Sequence, residues 1–333
     1  MNYILNKENE IYYECGWSAD NALFLFLDGE KYVITDGRYT LDAKENADAK
    51  VIEARDLVKK AKELILKKRI KKLKIDPSNW SYKAYSELSK VATLQNEENF
   101  SFKKRMIKTP DELKIIKEAV RLGAKAFEEF KNSIEEGIDE FELSYRFKEK
   151  LTNRGRRHLS FEPIVAINEN AAKPHAEVSE KILKKGDLLL LDAGIKHKRY
   201  CSDRTRTIYI GENIVMEKNQ KFPKHIQKVY DVVLKAQEKA INSLKVGIKA
   251  KEIDKIARSV IEDAGYGKYF VHSLGHGVGL DIHEFPFINS RNKTTLKEGM
   301  VFTIEPGIYI PGEFGIRIED MVVINYDGKV EVL

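Results

Sequence analysis

The sequence predicts an α+β protein with two domains, a smaller N-terminal α/β domain over residues 1–105 and a larger C-terminal domain over residues 106–333. Three observations support this organisation. A chain of 333 residues is long enough for about two domains with separate apolar cores. A strong helix start follows residue 105, and the chain beyond it contains an internal repeat.

The N-terminal domain alternates strand and helix signals. Apolar runs at residues 23–27 and 31–35 flank Asp28 and Gly29, which predicts a β-hairpin because glycine accepts a positive φ at a tight turn. The other predicted elements are a helix near residues 56–68, a strand near residues 73–75 and a helix near residues 81–91. This domain is therefore expected to be a small α/β unit.

The domain boundary is predicted from a helix start. Thr109 is followed by Pro110 and Glu112, which supply a capping hydroxyl, a residue suited to the first turn and an acid near the positive end of the helix dipole. We therefore place the boundary near residue 105.

The C-terminal domain contains two copies of one pattern. Residues 126–155 match residues 236–265 at constant spacing, and both segments predict a helix, a glycine break and a second helix. The matched pairs include Ala126 with Ala236, Gly137 with Gly247, Glu142 with Glu252 and Gly155 with Gly265. A solenoid needs roughly three or more copies. The repeat instead predicts a duplicated helix-plus-hairpin unit around a pseudo-twofold axis and a curved antiparallel sheet.

Carboxylates fall at corresponding places in the two copies. Asp192 and Glu305 each follow a buried apolar strand, and Asp203 and Glu319 each lie where the chain returns. Any one of them alone is more simply explained as a solvated or salt-bridged acid at a strand end. Four converging in an apolar sheet cannot all ionise unless cations neutralise them. The pattern predicts a metal site.

A histidine-rich segment supplies nitrogen ligands. Residues 270–284 contain His272, His276 and His283, three of the seven histidines. The glycines around His276 also suit a phosphate-binding loop, but the lysine and hydroxyl residues of that motif are absent. A helical zinc motif starting at His283 is excluded by Pro286.

Composition and charge exclude several classes of protein. With 42% hydrophobic and 33% charged residues, the chain is expected to be globular rather than disordered. Residues 1–16 lack a hydrophobic leader, the apolar runs are too short to cross a bilayer, and two cysteines do not form a disulfide framework. The net charge of +6 is dispersed and not interleaved with aromatic residues. We expect a cytoplasmic protein with neither a nucleic-acid nor a membrane partner.

Together these motifs resemble those of the pita-bread metallopeptidases, and within them the Xaa-Pro peptidase branch of aminopeptidase P and prolidase. The matching stretches are residues 191–194, 200–207, 275–284, 304–309 and 315–320. The resemblance implies a pita-bread fold for residues 106–333 and a creatinase-type N-terminal domain with a shortened or missing opening strand and helix. Residues 164–176 depart from the family by lacking two glycines, so this loop is predicted to be stiffer.

The resemblance also implies roles at the site. Asp192 would bind one divalent ion, His276 and Glu305 the other, and Asp203 and Glu319 would bridge them. Mn²⁺ suits this oxygen-rich set best, with Co²⁺, Zn²⁺ and Fe²⁺ as alternatives. The catalytic residues implied are Glu305 as proton carrier and His175 and His283 as donors to the scissile carbonyl. The substrate-binding residues implied are His175, His272, His283, Tyr309 and Arg317, with His272 on the proline side and Arg317 holding the bridging acids.

The implied activity is removal of the first residue from short peptides with proline in second position, by a homodimer with two metal ions per subunit. An Xaa-Pro dipeptidase, or prolidase, is the alternative, because the choice depends on whether the cleft is closed beyond the proline. Methionine aminopeptidases lack the N-terminal domain, and creatinase lacks the metal-binding acids. A metal-free binding module would have replaced ligands, and none is replaced here.

Overall fold

The computed structural model describes all 333 residues. The chain divides into two compact units, residues 1–105 and residues 106–333. None of its helices combines the length and the apolar character needed to cross a membrane.

The first unit is a six-stranded mixed sheet with helices. Its strands are β1 (Tyr3–Leu5), β2 (Ala22–Leu27), β3 (Glu30–Thr35), β4 (Lys50–Glu53), β5 (Lys72–Ile75) and β6 (Thr93–Asn96). Its helices are α1 (Glu8–Cys15), α2 (Thr40–Asn46), α3 (Leu57–Lys67), α4 (Tyr82–Ser89) and α5 (Phe100–Arg105). The sheet order is β4-β3-β2-β1-β5-β6.

Local sequence explains the elements of this unit. The predicted hairpin is confirmed: β2 and β3 pair antiparallel, and the turn residues Asp28 and Gly29 have φ of 48° and 84°. The predicted helix near 56–68 begins after Asp56, whose side chain accepts from the Lys59 amide. The opening strand and helix are present with 3 and 8 residues. Whether they are shorter than in relatives stays a prediction.

The second unit has four long helices and several short antiparallel sheets. The helices are α6 (Pro110–Lys131), α7 (Glu140–Thr152), α8 (Lys224–Asn242) and α9 (Ala250–Asp263). The strands of the first half are β7 (His158–Leu159), β8 (Ile164–Ile167), β9 (Leu188–Ala193), β10 (Ile195–His197), β11 (Tyr200–Cys201) and β12 (Arg204–Tyr209). Those of the second half are β13 (Gly275–Gly277), β14 (Glu284–Ile288), β15 (Val301–Ile304), β16 (Gly307–Ile310), β17 (Phe314–Arg317), β18 (Asp320–Ile324) and β19 (Val330–Val332).

Two sheets carry the segments predicted to hold the metal. One has the order β12-β9-β8 and the other the order β14-β13-β15-β18-β19, and all their pairings are antiparallel. The predicted helix start is confirmed, because Thr109 and Glu112 form a reciprocal capping box at the beginning of α6.

The internal repeat is confirmed by matching backbone geometry in the two halves. Gly137 and Gly247 have φ of 91° and 92°, and their amides donate to Leu183 and Leu296 at 2.9 Å in both cases. In return, the Leu183 and Leu296 amides donate to the residues after these glycines at 2.8 Å. Positive φ at both glycines explains why this residue type recurs. The α+β class is likewise confirmed.

One predicted strand is interrupted. Alternation along residues 315–322 predicts one strand with Arg317 and Glu319 on the same face. In the structure, β17 ends at Arg317 and β18 begins at Asp320. The break arises because β17 pairs with β16 whereas β18 pairs with β15. Between them, the Glu319 amide donates to the Thr205 carbonyl at 3.2 Å. Glu319 is thereby fixed against β12.

Candidate active site and metal centre

Each half of the second unit contributes carboxylates to one place. Asp192 lies near the end of β9 and Asp203 just before β12, whereas Glu305 follows β15 and Glu319 precedes β18. Asp192, Asp203 and Glu319 are buried, and the Glu305 side chain is 15% exposed. The two copies of the repeat therefore deliver acids to a shared centre.

His276 completes this cluster. Ligand atoms of Asp203, His276 and Glu319 all lie within 4.8 Å of one another. The His276 Nε2 atom is 3.6 Å from an Asp203 carboxylate oxygen and 3.4 Å from Glu305 Oε1. Its Nδ1 lies 3.1 Å from the Gly277 carbonyl, a contact that a protonated Nδ1 makes as donor. The Nε2 lone pair of that tautomer faces the acids.

A cavity of about 1120 Å³ opens onto the cluster. It is lined by all five predicted metal ligands, Asp192, Asp203, His276, Glu305 and Glu319. It is also lined by four further residues that are predicted to be catalytic or substrate-binding, His175, His272, His283 and Arg317. Apolar side chains at its wall include Phe141, Phe161, Ile282 and Phe287, which sequence reasoning did not identify.

The carboxylates are difficult to ionise in the absence of a cation. Burial raises the pKa of Asp203 and Glu319 well above the usual range, and the neighbouring acids raise it further. Burial also raises the pKa of Glu305 to about 8. Burial lowers the pKa of His276 to about 3 and that of His272 to about 4, so both imidazoles are neutral at pH 7. Neutral imidazole and concentrated carboxylates are the forms that a divalent cation binds.

Asp192 is held in a way that suits a cation. Its Oδ2 accepts from Arg317 Nη2 at 2.6 Å, whereas its Oδ1 is buried and has no hydrogen-bond partner. A buried oxygen without a partner is costly unless another group occupies its free side. Together with the raised pKa values, this fits a site built for positive charge.

Two threonine hydroxyls, which the sequence analysis missed, support the acids. Thr205 donates to Glu319 Oε2 at 2.6 Å, and Thr303 donates to Glu305 Oε1 at 3.0 Å. Thr303 lies two residues before Glu305, so strand alternation was a signal that could have placed both on one face. Thr205 carried no such signal, because its partner is remote in sequence.

Arg317 is the centre of a hydrogen-bond network. Besides Asp192, it donates from Nε to Thr205 Oγ1 at 3.0 Å and from Nη1 to the Tyr309 hydroxyl at 2.8 Å. Arg317 was expected to hold the bridging acids. Its direct carboxylate partner is instead Asp192, and it reaches Glu319 only through the Thr205 hydroxyl.

Tyr309 is buried and does not line the cavity. Its hydroxyl lies 2.8 Å from His272 Nε2, and His272 Nδ1 lies 2.7 Å from the Ser273 carbonyl. On the other side, Arg258 Nη2 donates to the His272 carbonyl at 2.9 Å while pairing with Asp254. His272 is therefore supported from two sides, and sequence reasoning missed the second.

The glycines around His276 serve close backbone packing. A Cβ added to Gly275 would lie 2.0 Å from the Thr303 carbonyl oxygen, and one added to Gly277 would lie 2.3 Å from the Phe285 carbonyl oxygen. The close approach of the neighbouring strands leaves room only for hydrogen at these positions.

Comparison with known families agrees with this geometry. Residues 114–326 match Metallopeptidase family M24, and residues 2–108 match the Creatinase/Prolidase N-terminal domain. The chain belongs to metallopeptidase family M24. The resemblance to the pita-bread metallopeptidases and the pita-bread fold class are thus confirmed, and the chain is a metal-dependent peptidase that uses divalent ions.

Individual M24 relatives resemble this chain over nearly their whole length. An Xaa-Pro dipeptidase of Pyrococcus horikoshii is 37% identical over 98% of this chain and 90% of its own. The structure of an Xaa-Pro dipeptidase from Bacillus anthracis has a TM-score of 0.90 and 34% identity, covering 99% of this chain and 92% of that one. The structure of an X-Pro aminopeptidase from Thermotoga maritima has a TM-score of 0.89 and 32% identity, covering 99% of this chain and 94% of that one.

Proposed function

We propose that this M24 enzyme is an Xaa-Pro dipeptidase that hydrolyses dipeptides with proline in second position. The observation that supports metal-dependent peptide hydrolysis is the meeting of acids from both halves of the repeat in a cavity that is also lined by three further histidines. The first prediction, an aminopeptidase, is not confirmed, and the names of the relatives fit the dipeptidase alternative better. The similarity to the Thermotoga maritima protein keeps the aminopeptidase as the second candidate.

We assign two divalent ions to five ligands. The residues that would hold them are Asp192, Asp203, His276, Glu305 and Glu319. Mn²⁺ is the first choice because the set has one imidazole and many carboxylate oxygens, and Co²⁺, Zn²⁺ or Fe²⁺ are alternatives. When bound, such ions supply Lewis acidity and an activated water at neutral pH.

The side chains of this protein would then move protons and hold the substrate. Glu305 accepts a proton from the attacking water and passes it to the proline nitrogen, which becomes the amine of free proline as the C–N bond breaks. His175 and His283, both on the cavity wall, would donate to the carbonyl oxygen as negative charge develops there.

The cavity suits a bond that most peptidases handle poorly. An Xaa-Pro bond has no amide hydrogen, so recognition through that donor is impossible. Here the apolar wall offers Phe161, Ile282 and Phe287 to the pyrrolidine ring and the first side chain. His272 is neutral and is fixed by Tyr309 at the proline side. Proline selectivity would thus come from shape and from donors aimed at the carbonyl.

The deciding experiment compares Ala-Pro with Ala-Pro-Ala, each assayed with Mn²⁺ and after chelation. A dipeptidase cuts Ala-Pro only with metal and cuts the tripeptide far more slowly. Comparable or faster cleavage of the tripeptide would establish the aminopeptidase instead, and Ala-Ala serves as the control without proline. The homodimer and the cytoplasmic location stay predictions, the former testable by the mass of the protein in solution.

A further inference from the structure

Glu140 is a fully buried carboxylate outside the catalytic cavity. It begins α7 and accepts four hydrogen bonds. One oxygen, Oε1, accepts from the Ile167 amide at 2.6 Å. The other, Oε2, accepts at 2.7 Å from Asn170 Nδ2, from the Ser179 amide and from the Ser179 hydroxyl. All four partners are donors, so the site is built for a carboxylate.

These donors lie at the two ends of one loop. Ile167 ends β8, and Ser179 follows the loop of residues 168–178. Asn170 also donates to the Glu177 carbonyl at 2.8 Å, which ties the start of the loop to its end a second time. Glu140 therefore closes this loop at its base. The loop carries Pro174 and His175 into the catalytic cavity.

The loop is also connected to the metal site. Arg317 Nη1 donates to the Pro174 carbonyl at 3.2 Å, immediately before His175. That contact fixes one point near the histidine, and Glu140 fixes the base. With both ends and one interior point held, the backbone on either side of His175 has little freedom.

Comparison of the two halves separates this role from the fold. The residue corresponding to Glu140 in the second copy is Ala250, at the beginning of α9. The backbone hydrogen bonds are equivalent in the two halves, since the Glu140 amide donates to the Lys181 carbonyl and the Ala250 amide donates to the Thr294 carbonyl. The helix-plus-hairpin unit therefore forms without a carboxylate here. Glu140 occurs only in the half whose loop carries His175.

We propose that Glu140 is a positioning residue that holds the His175 loop in its catalytic conformation. The inference rests on the proposed role of His175 as a donor to the scissile carbonyl. Glu140 itself touches no substrate and no metal ligand. Its effect on turnover passes through the geometry of His175, where a displacement of about 1 Å is enough to slow a reaction strongly.

The test uses Glu140→Gln in the Mn²⁺-loaded full-length enzyme. The amide of glutamine places a donor against a donor, because both carboxylate oxygens accept in the native protein. We expect kcat for Ala-Pro to fall by about 10- to 100-fold with bound Mn²⁺ unchanged. Glu142→Gln, on the same helix and paired with Arg146 at the surface, is the matched control and should change kcat by less than about twofold.

The decisive measurement repeats Glu140→Gln in a His175→Ala background. If Glu140 acts through His175, adding Glu140→Gln to the His175→Ala variant should change kcat by less than about twofold, because the imidazole that Glu140 positions is already absent. An equal loss of kcat in both backgrounds would overturn the proposal and assign Glu140 a general structural role.

Ser179→Ala removes one donor and tests the same coupling in a milder variant. Its smaller loss should also vanish without His175, and a loss that persists would contradict the proposal.

Amide hydrogen exchange tests the loop without any assay of activity. Glu140→Gln should accelerate exchange in residues 168–178 and leave β9 unchanged. Exchange rates in residues 168–178 that equal those of the wild type would refute the proposal that Glu140 holds this loop. If the wild-type enzyme cleaved no Xaa-Pro peptide, the proposed function would be wrong. Hydrogen exchange would still show whether Glu140 holds the loop of residues 168–178. If the enzyme cleaved Ala-Pro but Glu140→Gln and His175→Ala lowered kcat independently of each other, only the positioning role of Glu140 would be wrong.

Discussion

Arg317 Nη2 donates to Asp192 Oδ2 at 2.6 Å, and the other oxygen of Asp192 stays buried with no partner. The arginine thus holds one oxygen of the carboxylate and leaves the other free for a further partner. A group that orients a metal ligand in this way contributes to affinity without touching the ion.

Arg317→Lys should weaken metal binding. Lysine keeps the charge but cannot contact Asp192, Thr205 and Tyr309 at once. We expect the affinity for Mn²⁺ to fall by about 10- to 100-fold in calorimetric titration. Arg121→Lys, at an exposed pair with Glu118, is the control and should bind like the wild type. Native affinity in Arg317→Lys would show that Asp192 needs no such orientation.

Replacing a proposed ligand should abolish metal-dependent turnover. Asp203→Ala removes a bridging carboxylate, and His276→Ala removes the only imidazole of the set. Both variants should retain less than about one hundredth of wild-type kcat, because the ions that would activate water would no longer be held. Metal content measured by atomic absorption should fall in parallel. Full activity in either variant would refute its assignment as a ligand.

His175→Ala should separate chemistry from metal binding. His175 lines the cavity but belongs to none of the close ligand contacts. Removing one donor to a developing oxyanion costs about 10²–10³ in kcat. The variant should therefore bind Mn²⁺ normally and turn over Ala-Pro slowly. Loss of bound metal would mean that His175 is a ligand.

The metal-free protein should lose stability as pH rises. Glu305 has a pKa of about 8 in the folded state against an ordinary value of 4.5, so the folded state binds its proton more tightly. That stabilisation is complete below about pH 4.5 and is lost as pH rises through 8. We expect the melting temperature of chelated protein to fall between pH 5 and pH 8, and Mn²⁺ to reverse the fall. A melting temperature that rises over this range without metal would contradict the burial of these acids.

Much of the site was predictable because the chain is duplicated. Matched strand ends in two copies placed Asp192 with Glu305 and predicted that the acids would meet. The capping box at Thr109 and the turn at Gly29 are local patterns, so sequence alone located those elements.

The missed features are contacts between side chains remote in sequence. Thr205 and Arg317 are separated by 112 positions, and nothing near either residue indicates the partner. Glu140 lies in the first turn of a helix, where acids are common, so its position in the sequence does not indicate a buried carboxylate. The strand break before Glu319 depends on which strands pair, which periodicity does not specify.

The proposed dinuclear centre is tested most directly by anomalous X-ray scattering at the manganese edge from crystals grown with Mn²⁺. We predict two adjacent peaks among Asp192, Asp203, His276, Glu305 and Glu319, with Asp203 and Glu319 next to both. No peak among these side chains, or metal bound only elsewhere on the protein, would contradict the proposed dinuclear centre.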